Sequence, residues 1–275
     1  MINSEAQEGN MTYKDLILEK DGYIGVVTLN RPDKLNALGR NLRAEMTQVS
    51  QELMEDDEIR VVIWTGAGRG FSSGVDLTDR QTQPEVPPQQ ERLDELGWTG
   101  RQAINIYRFL TKPTIAAVNG VAAGAGMSLS LACDLRIGCE NTRFKTVFIE
   151  RSLSPDSGMS YFLPRIVGVS RAFDLVFTSR DVYSDEAHRI GLLDRVTTAD
   201  KLMEDAKALA NQIAFWPPIA MQSAKRVLQH SMETYLEEQL KYESFGLQFA
   251  RRAPHDVEEA GASFREKRSP KFTGR

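Results

Sequence analysis

Residues 112–137 read KPTIAAVNGVAAGAGMSLSLACDLRI. Thr114-Ile115-Ala116-Ala117-Val118 is a continuous apolar run, the pattern of a strand covered on both faces. Asn119-Gly120 interrupts it. The chain then enters a helix whose first turn is almost wholly Gly and Ala, and Asp134-Leu135-Arg136-Ile137 reads as the next strand. Strands alternating with helices imply an α/β core. The glycine-rich helix start has two readings. A helix N-terminus presents unpaired N–H groups and the positive end of its dipole, which stabilise an oxyanion. Tight helix–strand packing asks for the same small residues.

A similar segment lies upstream. Val61-Val62-Ile63-Trp64-Thr65 reads as a buried strand and leads into GAGRGFSSGVDL (66–77). Such a stretch lets backbone approach a ligand with N–H groups outward, or is a plain glycine-rich turn. It is no Walker A loop, lacking Gly-Lys-Ser/Thr, and GAGRGF has the wrong third spacing for a dinucleotide fingerprint. Taken together, two such segments on adjacent parallel strands can each give one N–H to a single oxygen. That is the arrangement for an enolate or tetrahedral oxyanion.

Further out, Leu16-Ile17-Leu18 and Ile24–Leu29 flank Asp21-Gly22, a hairpin signal. Leu42, Met46, Val49 and Leu53 repeat at helical spacing within 40–55. Residues 78–93 carry three prolines and no apolar period and read as a mobile surface loop. Helix resumes over 94–110. From 170 onward the pattern is helical, over 170–178, 184–190, 199–215, 218–230, 233–250 and 255–267. The organisation expected is a disordered lead-in (1–11), an α/β core (12–197) and a helical region (198–275) whose apolar faces need a neighbouring subunit.

The chain has 275 residues, 41% hydrophobic and 26% charged, as a globular protein does. With 34 basic and 38 acidic side chains its formal charge is −4, which argues against a nucleic-acid partner. The start MINSEAQEGN lacks an apolar core, so no secretory signal is read, and no apolar run is long enough to span a membrane. Cys133 and Cys139 are expected to be reduced and buried, which points to the cytoplasm. The three histidines, His188, His230 and His255, lie outside ligand spacing of either cysteine, so no metal site is expected.

Six pieces, in order and spacing, resemble the crotonase (enoyl-CoA hydratase/isomerase) superfamily: NRPDKLNAL (30–38), GRGFSSGVDL (68–77), residues 112–137, SPDSGMSYFLPRIVG (154–168), AHRIGLLDRV (187–196) and FREKRSPKF (264–272). The resemblance runs from about residue 12 to 272. It implies a crotonase-like spiral of ββα units with a C-terminal helical trimerisation region, a homotrimer or dimer of trimers, and an acyl-CoA thioester substrate. No separate cofactor is implied, because coenzyme A is part of the substrate. It also implies that the amides of Val75 and Ala125 form an oxyanion hole. Lys34, Ala37 and Leu38 match the segment lining the CoA groove, whose wall includes Ser73, Gly74, Asp76 and Leu77, with Val121, Gly124, Phe148 and Pro155 completing the binding set. Lys267 matches a C-terminal basic residue that reaches the CoA phosphates, often across a subunit interface.

The two glutamates used by hydratases of the family correspond here to Ser128 and Phe148, so simple hydration is not expected. Asp156 matches the slot of a single acid/base carboxylate in isomerases that move a C=C bond. It can also be read as the N-cap of a helix over Ser157–Arg165. Three alternatives stand beside this. One is a hydratase, lyase or thioester hydrolase using Glu85, Glu91, Asp94 or Glu95, with Glu150 expected on the far side of its strand. Another is the 4-chlorobenzoyl-CoA dehalogenase branch, which needs a histidine near 80–95 that this chain lacks. The last is a non-catalytic acyl-CoA-binding trimer. Phe148 and Phe162 serve either as a dry wall around Asp156 or as core packing.

Overall fold

The computed structural model describes residues 13–78 and 89–275. The expected lead-in, and residues 79–88 of the expected loop, lie outside them. The strands are β1 (Leu16–Asp21), β2 (Ile24–Leu29), β3 (Val61–Gly66), β4 (Gly70–Ser72), β5 (Thr114–Val118), β6 (Val121–Ala123), β7 (Leu135–Cys139), β8 (Arg143–Lys145), β9 (Val182–Tyr183) and β10 (Arg195–Thr197). The helices are α1 (Arg40–Glu55), α2 (Gln89–Leu93), α3 (Gly97–Ile104), α4 (Ala125–Ala132), α5 (Met159–Val167), α6 (Val169–Thr178), α7 (Ser184–Arg189), α8 (Leu202–Ala214), α9 (Pro218–Ser231), α10 (Leu236–Ala250) and α11 (Pro254–Glu266).

One sheet runs β1-β2-β3-β5-β7-β10 and the other β4-β6-β8-β9. Each pass of the chain lays one strand in the first sheet, turns through a few residues, and lays the next in the second: β3 then β4, β5 then β6, β7 then β8. The central pairings are parallel; β1 with β2 and β8 with β9 are antiparallel. Repeated strand–strand–helix passes make the spiral expected of the crotonase fold.

Alternation along the strands sends side chains to two cores. Val27, Leu29, Val62, Trp64, Ala116 and Val118 face α1 and α4; Ile24, Val26, Val61, Ile63, Ile115, Ala117 and Ile137 face Leu202, Ala206, Leu209 and Ala210 of α8. Helix α8 is therefore a layer of the core, although its sequence falls in the expected tail. Helices α9 and α10 pack face to face, and Ser223 Oγ donates to Gly246 O at 2.8 Å. Lys225 ties this pair to the sheet through Leu110 O, Lys112 O and the Asp134 carboxylate at 2.8 Å. Among the described residues no helix is long and apolar enough to cross a membrane.

Some boundaries differ from expectation. The segment expected to be loop contains α2 at its end, directly after Pro87-Pro88 in sequence. The helix expected over 94–110 is α3 followed by a π-helical turn at Asn105–Phe109. Helix α5 starts at Met159, with Gly158 at its N-cap and no side-chain cap, so Asp156 does not cap it. Glu150 is not on a strand. It lies in the 3-10 turn Ile149–Arg151 and pairs with Lys145 at 2.7 Å.

Two asparagines hold the turn between β3 and β4. Asn36 is fully buried; its Nδ2 donates to Ala67 O (2.9 Å) and Gly70 O (2.7 Å), and its Oδ1 accepts the Arg31 amide at 2.8 Å. It sits at φ 55, a left-handed conformation that asparagine adopts more readily than most side chains. Asn119 Nδ2 lies 2.9 Å from both Gly66 O and Gly68 O. Asn36→Ala removes three hydrogen bonds and leaves the Ala67 carbonyl and the Arg31 amide without this partner; it should lower unfolding free energy by roughly 3 kcal/mol in chemical denaturation.

Lys112, just before β5, is buried, with its ammonium on Leu53 O and Asp56 O. Burial pushes its pKa down to about 8, against the opposing pull of the Asp56 and Asp57 carboxylates. The folded pKa lies below the unfolded value of 10.5. Between those values the unfolded chain holds a proton the folded chain has released, so stability rises with pH there. From pH 8 to 10.5 the stability of the wild type should rise relative to that of Lys112→Met. Paired denaturation curves across that window check it.

Candidate active site

The site forms where the β3–β4 and β5–β6 passes end side by side. Leu38 forms an isolated parallel bridge with Val75. Leu38 N donates to Gly74 O at 2.7 Å, and Asp76 N points to Leu38 O at 3.4 Å. Successive amides in an extended chain face opposite ways, so the Val75 N–H faces away from Leu38. On that other side lies the start of α4. A Cβ built on Gly74, at φ 92, would stand 2.8 Å from Ala123 O and 3.4 Å from Ala125 N. A Cβ on Gly126 would stand 2.4 Å from Ser72 O. The two segments touch backbone to backbone, with no room for a side chain between them.

Ala125 opens α4, so its N–H has no partner within the helix. Gly124, at φ 50, donates its own N–H to Lys145 O at 3.0 Å. Among the described residues neither the Val75 nor the Ala125 amide donates to a protein acceptor. Two unengaged N–H groups this close can serve one oxygen that carries negative charge.

The carboxylates differ in what they can do. Asp76 is buried, and burial alone would raise its pKa. Hydrogen bonds from the Thr78 hydroxyl, Arg31, the Thr78 amide and Lys34 outweigh this and hold it well below the usual carboxylate range. Arg31 Nη2 lies 2.7 Å from Asp76 Oδ2, and Arg31 Nη1 donates to Ala37 O at 2.6 Å. Asp76 is thus an anchor for the strand carrying Val75 and a poor base. Asp156 lies in the turn before α5, half-buried, with its Oδ1 accepting the Ser157 hydroxyl at 3.0 Å. Its carbonyl accepts the Ser128 hydroxyl at 3.2 Å, and the same hydroxyl lies 3.3 Å from Gly124 O. Ser128 therefore brackets the Asp156 turn to the first turn of α4.

Positive φ angles gather here. Val147 (φ 54) is the middle of a three-residue turn in which Phe148 N donates to Thr146 O at 2.8 Å, and Ser157 has φ 53. A β-branched residue in this region is strained, and strain clusters where structure must aim a functional group.

The structure brings together Val75, Ala125, Ser73, Gly74, Asp76, Ala37, Leu38 and Gly124, with Asp156 and Pro155 beside them. Leu38 supplies backbone only, since its side chain is fully buried. Val121 packs over Gly70 from β6; a Cβ there would meet its Cγ1 at 3.1 Å. Lys34 stands at the rim, half exposed, 3.3 Å from Asp76 and from Thr78 Oγ1. Leu77 is exposed. Phe148 and Phe162 are buried in the main core, and Phe162 meets Tyr107 edge to face at 4.9 Å. Lys267 stands apart, exposed at the end of α11. The C-terminal segment beyond it joins Arg60 before β3, whereas the site lies past the other end of that strand. Glu85 and the Glu91 side chain lie outside the described residues; Asp94 pairs with Arg101 at 2.8 Å. The histidines engage elsewhere: His188 with Leu193 O, His230 stacked on Tyr242, His255 with Asp256.

Arg31, Asn36, Ser72 and Asn119 were not singled out from sequence as parts of the site. Their one sequence signal is position: Arg31 and Asn36 inside NRPDKLNAL, Ser72 inside GRGFSSGVDL and Asn119 beside Gly120.

The family model described as enoyl-CoA hydratase/isomerase matches residues 19–275. The short-chain-enoyl-CoA hydratase of Clostridium acetobutylicum is 36% identical over 261 residues, covering 94% of this chain and 97% of that protein. The 1,2-epoxyphenylacetyl-CoA isomerase of Escherichia coli is 35% identical over 253 residues, 90% of this chain and 94% of its own. Among solved structures, an enoyl-CoA hydratase from Bacillus anthracis superposes with a TM-score of 0.87 at 31% identity, covering 95% of this chain and all of that one. A monofunctional enoyl-CoA isomerase from M. smegmatis does so with a TM-score of 0.71 at 34% identity, covering 82% and 98%. With sequence and fold matched over nearly their whole length, this chain belongs to the enoyl-CoA hydratase/isomerase family of the crotonase superfamily.

Proposed function

We propose that the protein is an acyl-CoA enzyme that shifts a C=C bond of an enoyl-CoA, with Asp156 as single acid/base. The observation that carries this is the close approach of the Gly74–Val75 strand to Ala125, with both amides left without a protein acceptor. A thioester carbonyl oxygen seated between them gains its full charge only as the enolate forms, so the donors favour the transition state over the ground state. The Asp156 carboxylate takes a proton from one carbon, and the electron pair moves into the enolate. The same carboxyl returns the proton two carbons away as the double bond re-forms. Ser73, Gly74 and the rim lysine Lys34 flank the CoA side of this path.

The side chains at the two hydratase positions support isomerisation over hydration. Phe148 offers no carboxylate, and the Ser128 hydroxyl is committed to backbone carbonyls. A second reading is hydration or lyase chemistry, favoured by the hydratase names of most of the similar proteins. In either case exposed apolar side chains on α9–α11, such as Leu228, Leu236, Phe245 and Phe264, fit burial against further copies of the chain, as in a trimer.

Two substitutions test the reading. Ala125→Pro deletes one N–H at the first position of a helix, where proline is best tolerated. Turnover of an enoyl-CoA should fall by about 10²–10³ in kcat, with the thermal midpoint as a check on folding. Asp156→Asn should cut α- or γ-proton exchange in heavy water by about 10²–10⁴ while CoA-ester binding persists. Exchange at the wild-type rate removes Asp156 from the mechanism. Release of a 3-hydroxyacyl-CoA from a 2-enoyl-CoA by the wild type, without bond migration, decides for hydration.

A further inference from the structure

The Gly74–Val75 peptide is held by one of its two ends. Its C=O accepts the Leu38 amide at 2.7 Å. In a planar trans peptide the N–H points the opposite way, here toward the start of α4. Whatever fixes the Leu38–Val75 bridge therefore aims that N–H. The bridge itself is slight. It is isolated, and its second bond, from Asp76 N to Leu38 O, is stretched to 3.4 Å.

Arg31 spans it. Nη1 donates to Ala37 O at 2.6 Å and Nη2 to Asp76 Oδ2 at 2.7 Å. One planar guanidinium thus grips the residue before Leu38 and the residue after Val75. The arginine is rooted in turn: its amide donates to Asn36 Oδ1 at 2.8 Å, and its carbonyl accepts the amides of Lys34 (3.0 Å) and Asn36 (2.9 Å). The Arg31 and Asp76 side chains are 15% and 4% exposed, so the pair is shielded from water and salt as a surface ion pair is not. A rigid fork suits a clamp between two segments; a lysine ammonium sets no fixed angle between two acceptors. Lys34 joins Asp76 to Thr78, on one side of the bridge, and so does not duplicate the grip.

We propose that Arg31 is a positioning residue for the oxyanion hole, directing the Val75 N–H by clamping the two segments of the Leu38–Val75 bridge. This rests on the reading of the Val75 and Ala125 amides as donors to a thioester oxygen. It gives Arg31 a role in the reaction that runs through backbone, without contact with the reacting atoms.

The carbonyl stretch of a bound thioester tests this, because hydrogen bonds to the oxygen lower its frequency. Acetyl-, hexanoyl- and phenylacetyl-CoA, labelled with carbon-13 at the carbonyl, are bound to the wild type, Arg31→Lys and Arg31→Met and read by infrared difference spectroscopy. Calorimetry gives Kd, and the melting temperature checks folding. In the wild type the band of at least one ester should lie below its position in the free ester. In Arg31→Lys about half of that shift or more should be lost, while Kd stays within about threefold. Turnover of 3-hexenoyl-CoA should fall about tenfold in kcat with KM little changed, less than outright loss of a donor costs. An arginine with a merely structural role would lower the melting temperature and leave the band in place. Arg31→Lys carries the test if Arg31→Met does not fold. The full wild-type shift in either folded variant overturns the inference and leaves the oxyanion hole standing. No shift in the wild type, or no binding of any of the three esters, overturns both.

Discussion

The site depends on one steric constraint: two stretches of backbone must meet with nothing between them. A Cβ at Gly74 would press on Ala123 O, one at Gly126 on Ser72 O, and one at Gly120 would lie 2.1 Å from Arg69 O. These three contacts stitch the 66–77 turn to the 119–126 turn along one seam. Backbone cannot yield as the end of a flexible side chain can, so a larger residue at any of the three would force the strands apart. The separation of Val75 N from Ala125 N is set by that seam. The polar groups freed by such close approach are met by Asn36 and Asn119 from outside, which turns a glycine-rich loop into a fixed frame.

The fold was legible because it is written in periodicity. β5 and β3 are continuous apolar runs, α1 repeats its apolar side chains at helical spacing, and β2 follows the Asp21-Gly22 turn; these were read within a residue of where they lie, whereas β1 runs on to Asp21, three residues past the Leu18 that was read. The two glycine-rich segments were legible as places of close backbone approach; singly each also fitted a plain turn or tight packing, and only the pair together pointed to one shared oxygen. The clamps were not. Asn36 acts through contacts with residues some thirty positions away, and nothing local marks an asparagine as a brace. The N-cap alternative for Asp156 fails, although an aspartate just before an apolar helix is the usual signature of a cap. Here Gly158 takes that place in a left-handed conformation, and the helix starts two residues late. Glu150 was misplaced because a single turn of 3-10 helix has no period to detect.

Asp76 and Asp156 illustrate how environment sorts chemically equal groups. Asp76 is ringed by Arg31, Lys34 and Thr78 and serves to fix a strand. Its carboxylate is too stabilised as an anion to lift a proton from carbon. Asp156 is held from the other direction, through its main chain, by Ser128, at a position the family resemblance assigns to a hydratase glutamate. On the proposed reading this exchange is productive. The side chain at 128 gives up acid–base work and becomes a bracket, and the turn it steadies carries the remaining carboxylate.

That division of labour explains why one frame can host different reactions of the same intermediate. On that reading the paired amides of Val75 and Ala125 respond only to charge on the thioester oxygen, and every enolate route places charge there. Which bond changes is then decided by where proton-carrying groups stand along the acyl chain. By the family resemblance, a carboxylate at positions 128 and 148 would hold a water against the double bond. On the proposed reading, with Phe148 and the committed Ser128 hydroxyl at those two positions, the enolate faces the Asp156 carboxyl group. Without a held water, the simplest outcome for that proton is to return to the carbon skeleton at another atom.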